Sequence, residues 1–461
     1  RIRMIPLSFI INLISVMAGS SRDRISDLWQ RYRQDPAHRE LLHSSFVSLL
    51  IRGLGVSTGF LVTWITARFY GADALGVVSI CVAILSLASV FGKLGMDVAL
   101  MRFITGFATR QQFDSIKGVY VTAMRHVVPI SLGIAVLLWL LAEPMADQLF
   151  HKPDLAPVLR INAWCTLPLV LLLLHSEAVR GLKHIGSYTF FQTAAVSTAA
   201  TLLLFLTMTV ATGRFLPAYI QFICITLVGV ASCLIWLRGS RFFQSATRHE
   251  VSGQQLRATA GPMFTTTIMQ LLMSWAGTLI LASHVPEAEV GIYNALVRIS
   301  VFTNITILAI NSIALPRFAE AWSSGDRQAL RQTTRSAARM IFLSSLPIFL
   351  ILAIFPATLL SVFGKDFAGH EFPLYLLLAG QFIVVVVGLP SQLLNMTGRQ
   401  AALRNISIVS AVINIGACLF LIPAYGMIGA CVAQIVGTLV WNSLCVYAVY
   451  KEFGFWAGVR F

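Results

Sequence analysis

Stretches of about twenty apolar residues recur along almost the whole of this 461-residue chain, and each is long enough to cross the ~30 Å hydrocarbon core of a bilayer as a helix. They fall near 44–69, 74–96, 118–141, 157–179, 187–210, 215–237, 258–282, 290–315, 336–356, 372–396, 401–422 and 427–450. Lipid offers no water to satisfy a peptide group, so a spanning segment must pair its backbone internally, and runs of this length do so as helices. The expected fold is therefore all-α: a polytopic membrane protein of about twelve transmembrane helices. Turn-forming residues punctuate the runs, as in Tyr70-Gly-Ala-Asp73, Gly213-Arg214 and Pro423-Ala-Tyr-Gly426. Composition agrees, because 57% hydrophobic against 11% charged residues leaves too little polar surface to cover a water-soluble domain of this size.

A formal charge of +15 would invite a nucleic-acid reading in a soluble protein. Here membrane topology explains it. Taken segment by segment, alternate loops with their span edges and the two ends hold 25 Lys and Arg, whereas the intervening ones hold only Arg68, Lys152, Arg214 and Lys365. Cytoplasmic loops retain such residues, so both termini are expected on the cytoplasmic side and no nucleic-acid partner is expected. Residues 1–43 are expected to form a cytoplasmic or interfacial extension. Their apolar run from Ile5 to Val16 resembles a signal peptide but is too short to span, and arginines follow it.

The sequence repeats itself at an offset of 215 residues. Ala67, Gly76, Val82, Ile84, Ala99, Leu100, Arg102 and Phe103 reappear as Ala282, Gly291, Val297, Ile299, Ala314, Leu315, Arg317 and Phe318. The interval contains six spans, an even number, so the two halves share one topology and should be related by an axis along the membrane normal. The expected organisation is a six-helix bundle over 44–238, a cytoplasmic linker over 239–257, a second bundle over 258–450 and a cytoplasmic tail over 451–461. Paired bundles of this kind enclose a central cavity and work by alternating access.

The chain carries no nucleotide-binding or acyl-transfer motif. Its seven cysteines lie inside apolar stretches without metal-ligand spacing and read as small buried hydrophobes. Neither a cofactor, a metal nor an enzymatic activity is expected.

Five cations remain within spans: Arg52, Lys93, Arg125, Arg160 and Arg298. A charge at the bilayer centre costs at least about 2.5–3.5 kcal/mol on insertion scales, so it faces a cavity or a partner. Lys93 has Asp97 one turn away, and Arg160 lies near an outer end where it can snorkel. Arg52, Arg125 and Arg298 have no carboxylate to match them in the span interiors, which points to an anionic substrate. Interhelical hydrogen bonding is the default role of the amides Gln270, Asn294, Asn304, Asn311, Gln381, Asn414 and Gln434. Asn304 and Asn311 follow Arg298 on one span, and a shared polar face there would suit sugar hydroxyls. The candidate substrate-binding residues are thus Arg52, Arg125, Arg298, Asn304 and Asn311. Gly55 and Gly59 form a small-xxx-small pair that permits close helix packing.

The stretch Ala67-Arg-Phe-Tyr-Gly-Ala-Asp-Ala-Leu-Gly76, its counterpart Val285-Pro-Glu-Ala-Glu-Val-Gly-Ile-Tyr293, and the segment from Asn395-Met-Thr-Gly-Arg399 to Pro423-Ala-Tyr-Gly-Met-Ile-Gly429 resemble bacterial polysaccharide-export flippases. These are the Wzx-type members of the multidrug/oligosaccharidyl-lipid/polysaccharide exporter superfamily. The resemblance implies a MATE-like fold and translocation of an undecaprenyl-diphosphate-linked oligosaccharide across the bacterial cytoplasmic membrane, for O-antigen, capsule or exopolysaccharide synthesis. It implies membrane lipids, a polysaccharide polymerase and export proteins as partners. The arginines match the family's theme of a cationic lumen rather than a fixed motif. Two alternatives stand beside this reading: a cation-coupled multidrug antiporter of the same fold, which should need buried carboxylates, and a polytopic glycan polymerase or ligase, which should need a sizeable outer loop.

Overall fold

In a computed structural model of the chain, residues 36–209, 213–239 and 253–459 are described. Residues 1–35 of the extension and most of the linker over 239–257 lie outside them. The chain divides into a short unit, Arg1–Leu50, helical from Pro36 in its described part, and a large unit, Ile51–Phe461, which contains everything that follows.

Among the described residues there are helices and no strands. In chain order the main helices of the first half are α1 (Pro36–Ile65), α2 (Gly71–Lys93), α3 (Met96–Thr109), α4 (Phe113–Pro144), α5 (Ala156–Trp164), α6 (Thr166–Gly181), α7 (Ile185–Thr189), α8 (Ala195–Thr207) and α9 (Leu216–Gly239). Those of the second half are α10 (Gly253–Ala282), α11 (Glu287–Ser300), α12 (Ile305–Ser323), α13 (Arg327–Ile354), α14 (Pro356–Phe363), α15 (Glu371–Val387), α16 (Pro390–Met396) and α17 (Gln400–Phe453).

Among the described residues nine helices are long and apolar enough to cross a membrane, ten if α15 and α16, bent by 46° at their break, form one span. Two of the nine are double length. Val47–Lys93 and Gln400–Phe453 contain 47 and 54 residues, about 70 and 80 Å at 1.5 Å per residue, more than twice the ~30 Å core. Each is interrupted in the loop that the sequence marks, at Gly71 (φ +91°) and Gly426 (φ +55°), where only glycine tolerates the backbone without strain. Beyond Gly426 the chain doubles back on itself. A Cβ at Gly429 would overlap the Leu421 carbonyl, and the Asn414 amide donates to the Ala433 carbonyl at 3.0 Å. Divided at these glycines, the helices supply twelve crossings that coincide with the twelve apolar stretches.

Large apolar side chains on the spans, among them Leu206 and Phe420, stand 68% and 83% exposed. A surface of that kind needs lipid as its solvent, and the chain is a multi-pass membrane protein. Polar contacts join the helices from within. The buried His175 ring bridges the Tyr120 hydroxyl at 3.0 Å and the Ser232 hydroxyl at 3.1 Å, and Asn294 accepts from Thr278 at 3.1 Å. Six of the seven cysteines are buried and all are free thiols.

The sequence repeat is a structural one. Gly76 on α2 and Gly291 on α11 face each other where the two halves meet, so closely that a Cβ on Gly76 would overlap the Glu287 carbonyl and one on Gly291 would overlap the Ala72 carbonyl. Ala72 and Glu287 are themselves 215 residues apart. Each half thus presents the same glycine to the same carbonyl of the other, the reciprocal contact that a twofold axis generates.

Candidate functional site

The halves are tied together at the end predicted to face outward. The Trp64 indole donates to the Val362 carbonyl at 3.0 Å. Phe60 meets Phe302 and Phe363 edge to face, with centroids 4.8 and 5.4 Å apart. The Lys152 ammonium reaches from the loop after α4 to the carbonyls of Ala282 and Val285, both at 2.8 Å. Burial holds that ammonium below its usual pKa, with Glu287 pulling the other way.

Arg298 lies inward of the Trp64 and Lys152 contacts, at the level of Phe60. It is eleven residues beyond Glu287 at the start of α11, about 16 Å along the helix axis and so about halfway through the ~30 Å core. Its guanidinium crosses to the opposite half, where Nη2 would stand 2.6 Å from a Cβ on Gly59. Gly59 therefore makes room for an arginine. Its companion Gly55 does what the small-residue pair suggests, placing α1 against the Thr193 backbone. Arg298 remains exposed and has no ion pair or hydrogen bond among the described residues, whereas cations that are charge-paired include Lys93 with Asp97 (2.6 Å), Arg160 with Glu143 (3.0 Å), Arg180 with Glu177 (3.3 Å), Arg214 with Asp154 and Arg399 with Glu452.

Arg52 is seven residues before Gly59 on the same face of α1, about 10 Å along the axis. It is exposed and within electrostatic reach of Tyr188, whose ring lies 4.9 Å beneath the Arg180 guanidinium. Arg125 stands elsewhere. It shares one stripe of α4 with Leu132, Val136 and Leu140, all exposed, and that stripe faces away from the buried Ala123, Val127 and Ser131. The structure does not bring Arg125 together with Arg298.

The expected polar face of Arg298, Asn304 and Asn311 is divided by a 3-10 turn, Val301–Asn304, which changes the angular step per residue. Asn304 turns to Gln381, donating at 2.8 Å. Asn311 instead lines a cavity of about 430 Å³ inside the second half, together with Gln270, Gln392, Gln434, Trp441 and Asn442. The Asn311 side-chain oxygen is buried without a hydrogen-bond partner.

The sequence named Gln270, Asn311 and Gln434 as polar residues within spans but could not show that they converge. Gln392 and Ser391, which also line the cavity, were missed. Their signal is the interruption Gly388-Leu389-Pro390 in an apolar run. Gly388 adopts φ +79° between α15 and α16, and broken membrane helices are where transporters place polar groups at depth.

The chain matches the family described as polysaccharide biosynthesis protein over residues 41–322, and the MatE family over residues 262–422. A curated relative from Haloferax volcanii, described as "Probable low-salt glycan biosynthesis flippase Agl15", is 26% identical over 165 residues, 35% of this chain and 34% of that protein. The chain thus spans about a third of the length of the curated relative it matches. Among solved structures, an inward-facing multidrug resistance MATE family transporter of the MOP superfamily superposes with a TM-score of 0.71 at 13% identity, covering 89% of this chain and 98% of the other. The lipid II flippase MurJ in an inward closed conformation superposes with a TM-score of 0.70 at 13% identity, covering 89% of each chain. At such identities the likeness is one of fold.

Proposed function

We propose, on the premise that this chain belongs to the polysaccharide biosynthesis protein family, that it is a flippase moving a polyprenyl-diphosphate-linked oligosaccharide from the inner to the outer leaflet. In this reading the lipid is undecaprenyl, the membrane is the bacterial cytoplasmic membrane, both termini are cytoplasmic, and the cargo feeds a surface polysaccharide polymerase.

The observation that carries the reading is Arg298, set halfway through the membrane, aimed at the opposite half and lacking an acidic partner among the described residues. Leaving such a charge unmatched costs a few kcal/mol, and a diphosphate restores the balance through charge-assisted hydrogen bonds of about 1.5–3 kcal/mol each. Arg52 supplies a second positive charge farther along α1. Asn311 contacts the sugar. The contacts at the outer end correspond to a state sealed outside, in which cargo enters from the cytoplasmic side. Transport then requires the bundles 44–238 and 258–450 to rock about the Gly76–Gly291 seam.

A drug antiporter would need a free acidic group for its cation. The carboxylates buried in the first half, Asp97 and Glu177, are engaged by Lys93 and Arg180, which favours the flippase.

Deleting the gene and analysing membrane extracts by mass spectrometry tests the proposal. One polyprenyl-diphosphate glycan should accumulate on the cytoplasmic face and disappear on complementation. An unchanged glycolipid profile contradicts it.

A further inference from the structure

The cavity in the second half differs from the Arg298 site in one chemical respect: none of its described lining residues is charged. Its polar groups are the amides of Gln270, Asn311, Gln392, Gln434 and Asn442, with the hydroxyls of Ser274, Ser391 and Thr438. Carboxamides offer a donor and an acceptor each, the pairing that a sugar hydroxyl or an acetamido group reciprocates. Trp441 adds a broad apolar face with one donor at its edge, suited to the C–H face of a pyranose. The Asn311 oxygen, buried and unpaired, is an acceptor held ready for an O–H or N–H that the protein does not supply.

The repeat shows that one lining position, Gln392, is charged in the first half. At an offset of 215, Ser391 and Gln392 correspond to Ser176 and Glu177. In the first half Glu177 belongs to a charged network with Lys93, Asp97 and Arg180. Where the first half has the Glu177 carboxylate, the cavity has the Gln392 amide of the same shape. An acidic sugar would meet no cation in the cavity, and a basic one no anion, so either would be desolvated without compensation.

We propose that this cavity is a glycan subsite, separate from the phosphate-binding arginine, and that it accepts uncharged sugar residues only. Asn311 lies thirteen residues beyond Arg298, about 20 Å along the helical path, so the subsite holds the portion of the oligosaccharide remote from the diphosphate. The inference rests on the flippase reading above and names the sugar chemistry that it leaves open.

Purified protein in nanodiscs decides the matter with two probes: farnesyl diphosphate, which has no sugar, and the lipid-linked glycan extracted from the deletion strain. Wild-type protein should bind both. Asn311→Ala combined with Gln392→Ala should weaken the glycan at least about tenfold, the worth of one or two hydrogen bonds, and leave farnesyl diphosphate unchanged. Gln392→Glu should do the same by charge alone, and it serves in place of the double variant if that fails to give a monodisperse protein. Arg298→Ala should weaken both probes. Glycan binding unaltered by the cavity variants overturns the subsite while leaving the flippase reading intact. Wild-type protein that binds neither probe overturns both.

Discussion

Gly76 and Gly291 occupy equivalent places in the two halves, 215 residues apart, and each lies where a Cβ would overlap the backbone of the other's helix. Lipid chains are as apolar as leucine, so membrane helices gain little from hydrophobicity and associate by close packing of small residues. The first expectation concerns this seam. Gly76→Val or Gly291→Val should destabilise the protein by at least about 1–3 kcal/mol through forced backbone displacement, seen as lost monodisperse material and a lower Tm. Gly133→Ala, which meets nothing within 4 Å, should leave both unchanged. Equal tolerance at the three positions would refute the seam.

The hairpin of the last two crossings turns on Gly426 at φ +55°. A β-branched residue there is strained by about 1–3 kcal/mol, so Gly426→Val should lower the Tm where Gly416→Ala, in open space, does not.

In the orientation proposed here for the chain, Lys152 closes the outer end by capping the carbonyls of Ala282 and Val285 at the end of α10. Lys152→Met leaves them unpaired when buried, a loss of about 1.5 kcal/mol or more and hence roughly tenfold in the balance between sealed and open forms. A cysteine placed at the fully buried Ala282 should then react faster with a membrane-impermeant maleimide. An unchanged rate would mean that Lys152 does not hold the seal.

Arg125, on an exposed stripe of α4, and Arg52, proposed to line the pathway, should differ in their effect on export. Arg125→Leu should leave export within about twofold of wild type, as surface substitutions generally do, whereas Arg52→Glu should reduce it severely. Polysaccharide at the cell surface, normalised to protein in the membrane, gives the comparison. Equal losses would place Arg125 in the pathway after all.

These residues also show how far the sequence could be read. The crossings were legible because the bilayer dictates their length, and the seam because duplication left Gly76 and Gly291 in register. Arg298 was legible because charge at that depth needs a reason. The face on which Arg125 lies was not, since a helix in lipid is apolar all round and periodicity no longer separates core from exterior. The cavity was hidden for another reason: Gln270, Asn311, Gln392 and Gln434 come from four separate crossings. The 3-10 turn at Val301–Asn304, which parts Asn304 from Asn311, carries no signature in an apolar run.

The most direct test of the account is charge reversal at its centre. Cells whose only copy carries Arg298→Glu should hold normal amounts of the protein in the membrane, display no surface polysaccharide and accumulate the polyprenyl-diphosphate glycan seen in the deletion strain. Arg298→Lys should restore part of the export. Wild-type polysaccharide from the Arg298→Glu cells, with no accumulated glycolipid, would contradict a phosphate-binding arginine as the basis of transport.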